Sequence, residues 1–511
     1  MLARVLSGAV LGIDAYLVTV ETDVASGLPS FSTVGLPQGA VKEGRERVVA
    51  AIQNSGHAVP TKRITVNLAP ADVRKEGSAF DLPIAIGILA CTGQVLGSRL
   101  ASFALLGELS LDGALRPVRG ALSIALAVRS AGLTGLILPR QNVAEAAVVD
   151  GIEVRPADTL EQVIRFLDGA GSLEVATVDK VALFSKGPFA GADFAEVKGQ
   201  AHVKRALEVA AAGAHNILMV GPPGSGKTML ARRIPSILPP LSMSEALETT
   251  RIHSVAGLLG PDNSLIVTRP FRAPHHTISD AGLIGGGSSP RPGEVSLAHN
   301  GVLFTDELPE FRRNVLEVLR QPLEDGEVTI SRAVLSLSYP SRFMLAAAMN
   351  PCPCGFYGDD TRTCSCAPEV VQRYLARVSG PLLDRIDLHV EVPAVRYREL
   401  SDGRLGECSS TIRERVSAAR MVQRGRFADR GDLHANAHMK PRDLREFCEI
   451  GEGSDALLRT AITRLGFSAR AYHRVLKIAR TIADLDGSEA IETPHIAEAI
   501  QYRSLDRLAL V

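Results

Sequence analysis

The chain has 511 residues, and at roughly 150 residues per domain that length implies about three domains. Hydrophobic residues make up 46% and charged residues 22% of it, a balance that excludes disordered and fibrous classes. Lys plus Arg total 56 and Asp plus Glu total 56, so a nucleic-acid partner must be met by a local basic surface rather than by bulk charge.

The first twenty residues lack a basic segment leading into an apolar run, since Asp14 interrupts it, so no signal peptide is expected. Alternating runs at Tyr16 to Thr22 and Ile64 to Leu68 predict strands, and Ala121 to Ser130 predicts a helix, giving a compact α+β domain over residues 1–168. The apolar stretch from Leu82 to Gly97 is broken by Pro83, Thr92, Gly93 and Gln94. It is too short to span a bilayer, so a cytoplasmic protein with no membrane partner is expected. Charge in this domain is nearly balanced, with 15 basic and 16 acidic residues, and offers no broad electrostatic footprint.

Gly169 to Ser172, then Lys186 to Pro188 and Gly191, mark a linker over residues 169–192. Beyond a periodic helix at Gln200 to Ala212, strands and helices alternate over residues 193–395 as a doubly wound α/β core requires. Residues 396–511 are mostly helical, with periodic stretches at Ser410 to Arg424, Asp455 to Leu465, Arg470 to Leu485 and Thr493 to Arg503. They read as an α-helical lid.

The strand Ile217 to Val220 leads into Gly221, Pro222, Pro223, Gly224, Ser225, Gly226, Lys227 and Thr228, which satisfies G-x-x-x-x-G-K-[ST] between a strand and a helix. The glycines let backbone N–H groups turn inward around phosphate oxygens, Lys227 supplies charge to the outer phosphates, and Thr228 is placed to ligate Mg²⁺. A second apolar strand, Val302 to Thr305, ends in Asp306 and Glu307. Alone this pair is a common helix cap. Some eighty residues past the phosphate loop, it predicts Asp306 on hydrated Mg²⁺ and Glu307 polarising the attacking water. A third strand, Phe343 to Met349, ends at Asn350, whose amide is placed to orient that water.

Cys352-x-Cys354 and Cys364-x-Cys366 are nine residues apart, with Gly355, Gly358, Asp359 and Asp360 between them. A tight loop here brings four thiolates together, and S₄ coordination selects structural Zn²⁺. The alternative is four free or redox-active thiols.

Taken together these motifs resemble AAA+ P-loop ATPases, and within them the Mg-chelatase-like branch that holds the ComM (YifB) family of DNA branch-migration helicases. The pieces that carry the resemblance are Arg269 to Thr277, Glu307 to Phe311, Asn350 to Gly355, Gly380 to Leu388 and Arg470 to Arg480. The resemblance implies that Asn350 is sensor 1, Arg385 an arginine finger reaching a neighbouring subunit, and Arg470 the lid's sensor 2. A finger used in trans implies a homo-oligomer, expected to be a hexamer. Relatives insert a β-hairpin before sensor 1, and Gly326 to Arg332 followed by Leu335 to Tyr339 fits one. Arg332 on it is either a pore residue touching phosphates or an ordinary exposed side chain. The first domain resembles the Lon proteolytic domain at Lys75 to Asp81 and Leu106 to Leu122. Lon's serine, however, falls on Ala79 and its lysine on or beside Leu122, so a non-proteolytic module for assembly or DNA engagement is expected.

Between Arg396 and Arg445 there are 12 basic and seven acidic residues, including Arg413, Arg415, Arg420, Arg424, Arg426 and Arg430. This is a candidate DNA-facing surface, or else solvated helix faces and subunit contacts. The function expected from the resemblance is an ATP-dependent hexameric motor acting on single-stranded and branched DNA during recombination and natural transformation, alongside other recombination proteins. A magnesium-chelatase motor subunit and a MoxR-like protein-remodelling chaperone remain as competing readings.

Overall fold

The computed structural model describes residues 2–503 apart from 76, 186–190, 261–263, 288–289, 333–334, 360–361, 396–405, 432 and 466. The expected linker residues Lys186 to Pro188, Asp360 of the cysteine loop, and the stretch 396–405 that opens the arginine-rich segment lie outside the described residues. So does the side chain of Arg332. The chain divides into two compact units, Met1–Lys186 with Met243–Val267, and Gly187–Ser242 with Thr268–Val511.

In the first unit the long strands β1 (Leu2–Leu11) and β2 (Asp14–Ala25) pair antiparallel. The two-residue loop between them begins at Gly12 with φ of 66°, the positive φ that such hairpin turns need. With β3 (Ser30–Val34), β4 (Arg63–Ala69), β5 (Phe103–Leu105), β6 (Gly135–Pro139) and β7 (Glu153–Ala157) they build one seven-stranded sheet, in the order β3-β4-β2-β1-β5-β6-β7. Helix α1 (Ala40–Asn54) packs against α2 (Asp81–Cys91), which together with α3 (Ala121–Ser130) packs on the sheet. Almost every residue of α2 is buried, so the apolar stretch after Asp81 is a core helix. No helix among the described residues is long and apolar enough to cross a membrane.

The helix Met243–Ala256 also belongs to this unit, although it follows the phosphate-loop helix in sequence. Leu247 packs into the apolar cluster around α3. Gly120 N–H donates to Ser254 O at 3.3 Å, the Ser254 hydroxyl bonds the buried Glu145 carboxylate, and Arg251 pairs with Asp14. Burial raises the Glu145 pKa, against the hydrogen bonds from Ser254 and Asn142.

The second unit is built on a five-stranded parallel sheet. Its strands are β8 (Ile217–Val220), β9 (Phe271–Arg272), β10 (Val302–Thr305), β13 (Met344–Met349) and β14 (Leu388–Glu391), in the order β9-β10-β13-β8-β14. Every residue of β8, β10 and β13 is buried, as expected of parallel strands covered on both faces, which read as unbroken apolar runs. Helices α4 (Ala201–Gly213) and α5 (Lys227–Ile237) share its main core. Strands β11 (Glu327–Arg332) and β12 (Leu335–Pro340) form the antiparallel hairpin anticipated just before β13, with Arg332 opposite Leu335.

After α6 (Pro368–Leu375), the longer C-terminal helices are α7 (Ser409–Arg426), α8 (Glu452–Leu465), α9 (Ala469–Leu485) and α10 (Thr493–Gln501). Their apolar faces join the same core as α4 and the sheet. A polar latch adds to this. Arg474 of α9 pairs with the buried Asp387, whose carboxylate also accepts from Asn216 N–H at 3.1 Å. Burial opposes ionisation of Asp387, but Arg474 and His215 beside it more than offset that and hold the carboxyl well below the usual range.

Candidate functional site

Three neighbouring strand ends carry the predicted nucleotide residues, at the carboxyl edge where open α/β sheets bind ligands. After β8 the chain turns through Gly224 and Gly226, with φ of 77° and 90°, conformations that glycine adopts without strain. Gly226 caps α5, so the first-turn N–H groups face the loop. Lys227 is buried among acceptors. Its ammonium donates to Gly221 O at 2.7 Å, Pro222 O at 2.9 Å and Asn350 Oδ1 at 3.2 Å. Burial lowers its pKa, while the carboxylates of Asp306 and Glu307 oppose the shift.

Thr228 Oγ1 donates to Asp306 Oδ2 at 2.6 Å, so the hydroxyl and carboxylate expected to share Mg²⁺ already lie together. Asp306 Oδ1 accepts the Glu307 N–H at 3.0 Å. Glu307 itself has φ of 54°, a left-handed conformation that costs a residue with a side chain free energy and that clusters at functional sites. Its carboxylate is half exposed, and His276 Nδ1 lies 3.5 Å from Oε2.

Two residues here were not singled out as site residues from the sequence. His276 stacks on His275 with ring centres 4.1 Å apart and meets the edge of Phe311; its signal was membership of the Arg269 to Thr277 motif. Gln200, with φ of 52°, donates to Ser225 O at 2.8 Å and Pro393 O at 3.0 Å, clamping the phosphate loop to the chain beyond β14. Nothing in its local sequence marked it.

Arg385 is buried. It donates to Pro381 O at 2.7 Å and Glu324 Oε2 at 2.6 Å, rather than to its sequence neighbours Asp384 or Asp387. Asn216, at the root of β8, holds the segment by donating to Arg385 O at 3.0 Å while accepting from Leu345 N–H. Arg470 lies in the first turn of α9, is 61% exposed and reaches within 3.8 Å of Asp384. It also acts electrostatically on Glu324, as Arg385 does. The two arginines therefore share one charged cluster, whereas Asn350 and Asp306 sit with Lys227 and Thr228.

The four clustered cysteines converge. Their sulfur atoms all lie within 4.8 Å of one another, with Cys352 to Cys354 at 3.3 Å, Cys354 to Cys364 at 3.5 Å and Cys352 to Cys364 at 3.7 Å. A tetrahedron with metal–sulfur bonds of about 2.3 Å has edges of about 3.8 Å, so the donor set fits a zinc ion. Backbone N–H groups of Phe356 and Ser365 hold the Cys354 thiol well below its ordinary value, while burial and the neighbouring sulfurs push Cys364 and Cys366 above theirs.

Within the candidate DNA-facing segment, Arg413, Arg415, Arg420, Arg426 and Arg430 each have partners inside the chain. Arg413 donates to Ser236 O, Arg415 pairs with Glu208 and Glu407, and Arg420 donates to His434 O. Arg426 pairs with Asp484, and Arg430 with Asp443 and Glu446. These cations fasten α7 and the chain after it, because buried acids such as Asp443 and Asp484 need partners.

The family profile described as magnesium chelatase, subunit ChlI, matches residues 193–400. Related profiles, for subunit ChlI of Mg-chelatase and for the subunit ChlI C-terminal region, match residues 20–142 and 406–503. The chain is similar from end to end to the competence protein ComM of Haemophilus influenzae, at 46% identity over 99% of this chain and 98% of that protein. It is equally similar to the uncharacterized protein YifB of Escherichia coli, at 46% identity over 98% and 97%. Similarity to the magnesium-chelatase 38 kDa subunit of Rhodobacter capsulatus is lower, 25% identity over 41% of this chain and 61% of that one.

Proposed function

The chain belongs to the family of ComM and YifB, with Mg-chelatase-like AAA+ domains that imply ATPase activity, and on that premise we propose that it is an ATP-driven, homo-hexameric DNA motor that promotes branch migration during recombination and natural transformation. The observation that carries this reading is the meeting of Lys227, Thr228, Asp306 and Asn350 at the carboxyl ends of three adjacent parallel strands, in a chain matched over its whole length by a competence protein.

In this reading Lys227 and the loop N–H groups bind the phosphates of ATP, Thr228 and Asp306 hold the metal, Glu307 takes a proton from water, and Asn350 orients that water. Mg²⁺ bound there supplies charge neutralisation on the phosphate oxygens. Arg385 acts as the finger and Arg470 as the lid's sensor 2; their shared cluster with Glu324 and Asp384 supports their acting as a unit. The hairpin β11–β12 tracks the DNA backbone. The first unit serves as a non-proteolytic, Lon-like module for assembly or DNA engagement, and the C-terminal helices serve as the lid.

Branch transfer on a synthetic three-strand junction tests the motor. The purified protein with ATP should move the branch, and the same protein without ATP should not. Stimulation of ATPase by protein partners but not by DNA would overturn the reading in favour of a remodelling chaperone. ATP-dependent insertion of Mg²⁺ into a porphyrin would overturn it in favour of a chelatase motor.

The four cysteines hold structural zinc in the same proposal, one ion per chain. Elemental analysis after gentle, chelator-free purification should return about one zinc per protomer. Cys364→Ser with Cys366→Ser should remove it, and wild-type protein free of metal would leave four simple thiols.

A further inference from the structure

Between the two cysteine pairs the chain passes through Gly355, whose φ is 87° and whose N–H points at Cys352, 3.0 Å from its carbonyl oxygen and 3.2 Å from its sulfur. A Cβ built on Gly355 would overlap the ring of Pro223 in the phosphate loop, only 2.7 Å from its Cγ. Proline has a locked ring and no rotamer into which to withdraw. Only a glycine lets the cysteine loop lie flush against the phosphate loop at this point.

The same loop is tied to Asn350 from two directions. Cys352 follows Asn350 by two residues, and Cys366 leads two residues later into α6, which carries Tyr374. Burial pushes the Tyr374 hydroxyl up to about 12, against the pull of the Asn350 backbone N–H that faces it. Asn350 in turn accepts from Lys227. Joining the four sulfurs therefore fixes both segments that hold Asn350, and presses Gly355 onto the wall of the phosphate loop.

We infer that the four-cysteine loop is a positioning element of the nucleotide site, acting through the Gly355–Pro223 contact and through the placement of Asn350. The inference rests on the zinc reading only for what closes the loop; the contact itself stands apart from it.

The test uses the purified full-length protein, a fluorescent ATP analogue and elemental analysis. Gly355→Ala should keep its zinc yet bind the analogue about tenfold more weakly, because the added methyl must displace Pro223. Gly358→Ala is the control. It carries the same backbone penalty at φ of 77°, but its Cβ meets nothing within 4 Å, so its affinity should match wild type. Pro223→Ala removes the ring, and in the double mutant it should return most of the affinity lost in Gly355→Ala relative to Pro223→Ala alone.

Equal affinity in Gly355→Ala and Gly358→Ala, or no recovery in the double mutant, overturns the inference. Should Gly355→Ala fail to fold, Cys364→Ser with Cys366→Ser decides: it should weaken analogue binding about as much, and unchanged binding overturns the inference. Wild-type protein without zinc refutes the zinc reading alone, because the Gly355→Ala comparison still decides the contact.

Discussion

Glu307→Gln is expected to bind ATP within about twofold of wild type and to lose about 10² to 10⁴-fold in turnover, the usual worth of a general base. The substitution keeps the shape of a half-exposed side chain that lies 3.5 Å from His276, so it disturbs little of the fold. What it removes is the capacity to take a proton from water. Lys227→Ala should fail one step earlier, with ATP affinity reduced about tenfold or more, because in the proposed reading this buried ammonium is the charge that binds the phosphates. Its loss also strands the carbonyls of Gly221 and Pro222 and releases Asn350. Equilibrium binding of a nucleotide analogue and single-turnover hydrolysis separate the two outcomes. Near-wild-type turnover in Glu307→Gln would remove it as the base.

The phosphate loop was legible because its information is local: two glycines, a lysine and a hydroxyl at fixed spacing, flanked directly by the strand Ile217–Val220 and the helix Lys227–Ile237. Strands β8, β10 and β13 were legible for a related reason, since a parallel strand buried on both faces is an apolar run. The hairpin β11–β12 was expected only through the resemblance to relatives that insert one before sensor 1. Partnership across long separations was not legible. Arg385 pairs with Glu324, 61 residues earlier, and no spacing rule reaches that far. The arginines of α7 read as surplus charge because the acids that absorb them lie up to 207 residues away, as Glu208 does from Arg415. Met243–Ala256 offered the same difficulty: it is held in the first unit by bonds from Ser254 to Glu145 and from Arg251 to Asp14, partners 109 and 237 residues earlier in sequence.

Arg385→Ala should leave ATP binding largely intact and abolish hydrolysis, because a finger acts on a neighbour's nucleotide rather than on its own chain's. The structure makes the substitution a clean one. Arg385's carboxylate partner, Glu324, is 58% exposed, so its unpaired charge is solvated and truncation strands no buried acid. Neither Arg385→Ala nor Glu307→Gln chains alone should turn over ATP. Mixed together they should recover activity, since an interface with Glu307 from one chain and Arg385 from the other is complete. A chain carrying both substitutions, added in place of either, should not restore it. Subunit exchange followed by fluorescence verifies that mixed rings form. Mixed rings without activity would mean either that Arg385 is not the finger or that all interfaces must fire together. Arg377→Ala in the same mixture separates these. Arg377 pairs with Glu310 at 3.0 Å, three residues beyond Glu307, so recovery with Arg377→Ala and none with Arg385→Ala moves the finger to Arg377. No recovery with either leaves concerted firing, in which one incomplete interface stops the ring.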